Sequence, residues 1–127
     1  MQSERRFGFR IPLEMFLNQY AQDRPHRGLT VNISETGVYV NKVIAPMLRT
    51  GRVVGLEFEL PGTGEVVWAR GEVCYDSLDD LFHGQGIRFS GMARAHQRLI
   101  RDYCMERRRA KLADLLDKIR RRRQARQ

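Results

Sequence analysis

Apolar side chains recur at every second position through much of residues 11–90 and at every third or fourth position beyond residue 92, so the chain must change from strand to helix. Ile11, Leu13, Met15 and Leu17 fall on one face of an extended segment. Val54, Leu56, Phe58 and Leu60 do the same, with Glu57 and Glu59 on the opposite face. Residues 29–33 and 38–40, joined by Ser34-Glu-Thr-Gly37, and then residues 65–75 and 86–89 read as further strands. Turn formers punctuate these runs at Asp23-Arg-Pro25, Arg49-Thr-Gly51 and Pro61-Gly-Thr-Gly64, the last a hairpin loop. Short antiparallel strands with no helical pattern between them predict a mainly β fold, a small six-stranded antiparallel barrel that leaves no sheet edge exposed.

From Met92 onward neither Gly nor Pro occurs. Leu99, Ile100 and Tyr103, then Leu112, Leu115, Leu116 and Ile119, follow helical spacing and predict one long C-terminal helix. Thirty helical residues span roughly 45 Å, more than so small a barrel can cover. The first half is expected to lie on the barrel and the second to overshoot it. Met105, Leu112 and Ile119 recur every seven residues, with Leu115 and Leu116 between them. These five form an apolar seam for a protein partner or a second copy of the chain, in an antiparallel pairing or against an acidic surface. Three segments result: an arginine-rich arm at 1–10, the barrel at 11–90, and the helix with its basic tail at 91–127.

Charge separates the same regions. The net charge is +8, but residues 1–105 hold 13 Lys and Arg against 12 Asp and Glu, whereas residues 106–127 hold 10 against 3. A nearly neutral body with a basic tail does not make the barrel a nucleic-acid platform. No apolar run reaches the length of a membrane span, and Met1-Gln-Ser-Glu-Arg-Arg lacks the apolar stretch of a signal peptide, so a cytoplasmic location is expected. Cys74 and Cys104 lie thirty residues apart with no C-x-x-C partner and read as buried free thiols rather than a disulfide or zinc site. His26, His83 and His96 are scattered, Asp76, Asp79 and Asp80 read as a solvated turn, and no nucleophile elbow or phosphate loop occurs. Neither an enzyme nor a metal or cofactor site is expected.

Two segments carry binding chemistry. Arg5-Arg6-Phe7-Gly8-Phe9-Arg10 puts three planar, five-donor guanidinium forks just ahead of the first strand, suited to phosphates or to O6 and N7 of guanine. Asn32-Ile33-Ser34-Glu35-Thr36-Gly37 ends a strand in small hydrogen-bonding residues, with Asn32 and Ser34 expected on the face opposite Ile33 and Gly37 able to take positive φ. Each segment taken alone also reads as an exposed basic terminus or a hairpin turn.

Together, Arg6-x-x-x-Arg10 followed by Asn32-x-Ser34-x-x-Gly37 resembles the paired signature of the PilZ domain, the bacterial receptor module for cyclic di-GMP. The resemblance runs from about Arg5 to Phe89 and includes Val38-Tyr-Val40, Gly71-Glu-Val73 and Gly86-Ile-Arg-Phe89; Asn32 stands where Asp is also common. It implies a PilZ-like barrel in which Arg6 and Arg10 meet the guanine edges and phosphates of the ligand, Arg5 adds a contact, and Asn32, Ser34 and Gly37 lie against a guanine base. With no enzyme, transmembrane or response-regulator segment in the chain, it also implies a sensor or adaptor that relays cyclic di-GMP level to another protein. The other reading is a nucleic-acid or ribosome-associated barrel that uses Arg107-Arg-Arg109 and Arg120-Arg-Arg-Arg123 on phosphates. A third is a barrel kept as a scaffold.

Overall fold

The computed structural model describes residues 10–43, 52–78 and 82–125. Seven strands, β1 (Ile11–Pro12), β2 (Phe16–Ala21), β3 (Arg24–Ile33), β4 (Gly37–Val43), β5 (Val53–Glu59), β6 (Val66–Leu78) and β7 (Phe82–Met92), precede one helix, α1 (Arg94–Ala125). The strands run β3-β2-β5-β6-β7-β4, and β4 pairs back onto β3, which closes six of them into a ring with every pairing antiparallel. β1 is an extra strand that continues the β2 side of β3. The mainly β barrel and the long helix expected from the change of period are both present.

Residues 11–17 form two short strands rather than one, because the Thr30 side chain enters the ladder between them. Its hydroxyl donates to the Leu13 carbonyl at 2.5 Å and accepts from the Met15 N–H at 2.9 Å. The N–H of Leu13 still donates to the Val31 carbonyl at 3.1 Å, so the alternation survives and Ile11, Leu13, Met15 and Leu17 are all buried. On β5, Val54, Leu56 and Phe58 point inward, and Leu60 follows them into the core. Ile100 and Cys104 of α1 complete the core, with Leu99 and Tyr103 packed beside them. The root of the helix therefore covers the end of the barrel formed by β1 and Ile33, as its apolar spacing predicts.

The β2–β3 turn sits one step earlier than expected. Gln22 and Asp23, at φ 54° and 62°, form a two-residue turn between the paired Ala21 and Arg24, a conformation whose twist suits a tight hairpin. Pro25 lies inside β3 opposite Tyr20; β4 does not pair with β3 until Gly28, so the missing N–H interrupts no second ladder. The Pro61–Gly64 loop is as predicted, with Gly62 and Gly64 at φ 81° and 69°. The expected turn at Arg49-Thr-Gly51 and the acids Asp79 and Asp80 lie outside the described residues, whereas Asp76 is a strand residue of β6.

Only one of the two thiols is buried. Cys104 is enclosed, and burial, with a smaller contribution from the charge of Glu35, pushes its pKa up to about 11. Cys74 is exposed, because a register shift between Val73 and Tyr75 takes it out of the inward alternation of β6.

Candidate functional site

A second irregularity shapes the polar segment. β3 shifts register between Thr30 and Asn32, leaving Val31 as an extra residue against β4. The bulge reverses which positions face inward: Thr30 and Ile33 are both buried, while Leu29 and Val31 are each 41% exposed. Asn32 is therefore carried to the outer face, opposite Tyr39 of β4 on one side and Pro12 of β1 on the other. Its amide Oδ1 is buried and has no hydrogen-bond partner among the described residues.

Ser34 does not share that face. It is 2% exposed, and its Oγ accepts from the N–H groups of Thr36 and Gly37, both at 3.2 Å, with the Thr36 hydroxyl 3.1 Å away. The Ser34 N–H donates to the Gly37 carbonyl at 2.8 Å. The hydroxyl thus holds the β3–β4 turn from within, in the manner of a Ser side chain mimicking backbone. The expectation that Ser34 emerges beside Asn32 is corrected, since the strand ends at Ile33 and the chain turns before the alternation can continue.

Gly37 is not a left-handed residue either. It begins β4 as a strand residue opposite Arg88, and a Cβ there would stand 2.5 Å from the Ile87 carbonyl oxygen. The glycine is needed because two strands approach closely, not because φ is positive. Among the described glycines, Gly62 and Gly64 are the ones with positive φ.

Arg10 is exposed and stands immediately before β1. The pairing of Ile11 with Ile33 brings Arg10 to the level of Ser34, at the rim that also holds Asn32 and Gly37. Arg5 and Arg6 lie outside the described residues. Arg88, which the sequence reading did not single out, belongs to this rim through its pairing with Gly37, and its Nη2 lies 2.7 Å from Oε2 of Glu72. The alternation of Gly86-Ile-Arg-Phe89 points Arg88 outward, but nothing in the sequence places β7 beside the start of β4. An open cleft of about 570 Å³ adjoins the turn, lined by Glu35, Thr36, Arg88, Phe89, Ser90 and neighbouring residues as far as Gln97. Met105, Leu112, Leu115, Leu116 and Ile119 lie apart from this rim, exposed along α1.

The opposite end of the barrel has a polar interior that the sequence reading also missed. Gln19 and Gln85 are fully buried; Nε2 of Gln19 donates to Oε1 of Gln85 at 3.0 Å, and Nε2 of Gln85 donates to Oδ1 of Asp76 at 2.9 Å. Nε2 of His83 also contacts Oδ1 of Asp76. Burial raises the Asp76 pKa, but the bonds from Gln85 and His83 and the charges of His83 and Lys42 outweigh it and hold the carboxyl below its ordinary value. Lys42 is 6% exposed, and burial lowers its pKa to about 8 despite the nearby Asp76 charge.

A closed six-stranded barrel in which Arg10, just ahead of the entry strand, and the polar hairpin end meet at one rim defines a small barrel module with a presented polar edge. The sequence matches the family model described as PilZ domain over residues 4–106, and the chain belongs to the PilZ domain family. None of the curated protein sequences compared with it matches. Among solved structures, it is similar to the Bacillus subtilis inhibitor of motility MotI/DgrA, at TM-score 0.71 and 21% identity over 82% of this chain and 51% of that one. The PilZ domain of YcgR from Escherichia coli, with c-di-GMP, aligns at TM-score 0.65 and 18% identity over 87% of this chain and 98% of that one. PlzA from Borreliella burgdorferi, in complex with c-di-GMP, aligns at 0.64 and 10% identity over 89% and 55%. The chain thus spans about half the length of MotI and PlzA, and these likenesses are of fold.

Proposed function

We propose that the chain is a cyclic di-GMP receptor of the adaptor kind, binding the nucleotide at the rim that holds Arg10 and Asn32 and passing its presence to a second molecule. The observation that carries this reading is the Asn32 amide oxygen, a buried acceptor without a partner on the outer face, at the same rim as an exposed guanidinium. A guanine edge offers the N–H donors that such an oxygen lacks, and two phosphates suit the forks of Arg6 and Arg10, with Arg5 adding a further contact. Ser34 and Gly37 serve the site by fixing the turn that positions Asn32. The YcgR domain and PlzA were each solved with this ligand and share the fold.

One contact at the same end supports a route for relay. The Cys104 thiol lies 3.9 Å from the carbonyl oxygen of Ile33, next in sequence to Asn32, so the root of α1 rests directly behind the rim. A ligand drawing the arm across that rim meets the helix that leads away from the barrel. This is binding and relay, with no chemical step.

Calorimetric titration of the full chain with cyclic di-GMP tests the reading. Each charge-assisted contact is worth roughly 1.5–3 kcal/mol, so Arg6→Ala and Arg10→Ala are each expected to weaken binding by about tenfold or more, and the double variant to abolish it with the barrel still folded. Wild-type affinity in the double variant would remove these residues from the site. No heat with nucleotide, together with a salt-sensitive RNA shift lost on deleting residues 106–127, would put the nucleic-acid reading in its place.

A further inference from the structure

Beyond Cys104 the helix leaves the barrel, and Met105, Leu112, Leu115, Leu116 and Ile119 are 45–57% exposed. At about 3.6 residues per turn these five fall in an arc of roughly 100°, centred about 140° away from the mean direction of Ile100 and Tyr103, with buried Cys104 just beyond its Leu115 edge. Past the barrel contact of Cys104 the stripe is open along the distal helix, where Leu112, Leu115, Leu116 and Ile119 are all exposed. The acids of the distal helix, Glu106, Asp114 and Asp117, occupy the other half of its circumference, where Asp114 pairs with Lys118 at 3.2 Å and Asp117 with Arg121 at 3.0 Å. Lys111, Lys118 and Arg122 border the stripe along one edge and Arg109 and Arg120 along the other, while Arg108 and, past its last apolar residue, Arg123 lie within its arc.

We propose that the distal half of α1 lies on an anionic phospholipid surface, its apolar stripe at the acyl boundary and its bordering cations among the lipid phosphates. Pairing with a second copy is disfavoured, because in either orientation a cationic edge meets a cationic edge and the acids point elsewhere. An apolar groove on a protein would take the leucines but offer no counter-charge to the two cationic edges. At a bilayer surface the long arginine and lysine side chains instead reach back to the headgroups. The helix lies on the bilayer and does not span it, since no described helix is long and apolar enough to cross. The lipid contact does not depend on nucleotide; its use, placing a nucleotide receptor at a membrane face, rests on the function proposed above.

Co-sedimentation of the full chain with vesicles of equal parts phosphatidylglycerol and phosphatidylcholine, or of phosphatidylcholine alone, tests the proposal. Binding to the mixed vesicles is expected to be at least about tenfold stronger, given several cations at the surface. Leu112→Gln/Leu116→Gln/Ile119→Gln, which keeps every charge, is expected to lose about tenfold of it while titrating normally with cyclic di-GMP, so that failure here and failure of the nucleotide reading are separable. To guard against fraying of that variant, Leu116→Trp and Arg121→Trp are compared in a Trp68→Phe background; emission should shift to the blue on mixed vesicles for the first and stay fixed for the second. Equal binding to both vesicle types, undiminished binding by the triple variant, or equal shifts at 116 and 121 would overturn the proposal. So would a vesicle-free dimer that the triple variant abolishes, which would assign the stripe to helix pairing.

Discussion

The two ends of strand β4 treat buried polar groups differently. At the Lys42 end, the buried Gln19 and Gln85 bond to one another and on to Asp76 and His83 nearer the surface, and the buried atoms left without a partner include Oε1 of Gln19, on a side chain sealed from solvent, and Nε2 of His26. At the Gly37 end, Ser34 is spent on its own turn, and the acceptor left over belongs to Asn32, a half-buried residue on the outer face near an exposed arginine. Polar residues alone do not mark a site. What distinguishes the Gly37 end is that the residue carrying the unsatisfied group still presents surface, beside a turn that Ser34 braces.

The strongest way to break this contrast is to disturb the bracing. Gly37→Val places a side chain against the Ile87 carbonyl, where even a Cβ would be 2.5 Å away, and is expected to cost about 3 kcal/mol of stability in urea unfolding. Gly62→Ala serves as the reference: its φ of 81° is strained for alanine but nothing lies within 4 Å, so about 1 kcal/mol is expected. Equal costs for the two would mean that backbone conformation, and not close strand approach, is what Gly37 provides.

The other end is tested through pH. Lys42 carries a folded pKa of about 8 against its ordinary 10.5. Below about 8 the amine is protonated in both folded and unfolded chains, and the full cost of burying the charge is present. Between about 8 and 10.5 the unfolded chain holds the proton that the folded chain has released, so stability rises with pH across that window. Lys42→Met is expected to raise stability at neutral pH by about 2 kcal/mol and to flatten the rise. A melting temperature that climbs just as steeply with pH in the variant would show that Lys42 is not the group responsible.

How much of this was legible in the sequence depended on the range of the interaction. Val54, Leu56, Phe58 and Leu60 alternate on a regular strand, and Leu99, Ile100 and Tyr103 repeat on a regular helix, so their burial follows from local spacing. The two halves of the motif come to one rim because β1, which follows Arg10, pairs directly with the end of β3 that carries Asn32. What failed was set by register with a second strand. The bulge at Val31 reverses the inward face of β3 and follows from its register with β4, residues 37–43; the bulge at Val73 exposes Cys74 through register with β7. Gln19 and Lys42 occupy inward positions by parity, yet their polarity hides the strand pattern unless Asp76 and Gln85 are known to face them. The face of Ser34 was misjudged because a turn-building hydroxyl and a ligand-binding one have the same composition and spacing.

That last ambiguity sets the smallest and most discriminating prediction. If Ser34 braces the turn and Asn32 meets the ligand, their alanine variants should separate stability from binding. Ser34→Ala removes an acceptor used by two backbone N–H groups and should cost about 1–2 kcal/mol in thermal unfolding, with affinity for cyclic di-GMP within about twofold of wild type once the protein is folded. Asn32→Ala removes an acceptor that has no partner among the described residues, so stability should hold or rise slightly, while affinity should fall by about tenfold as a guanine loses its hydrogen bond. The comparison is made by calorimetry well below both melting temperatures, so that unfolding of the Ser34 variant does not pass for weak binding. The reverse pattern, a stable Ser34→Ala that binds poorly beside a destabilised Asn32→Ala that binds well, would exchange the two roles and move the ligand from the outer face of β3 into the turn itself.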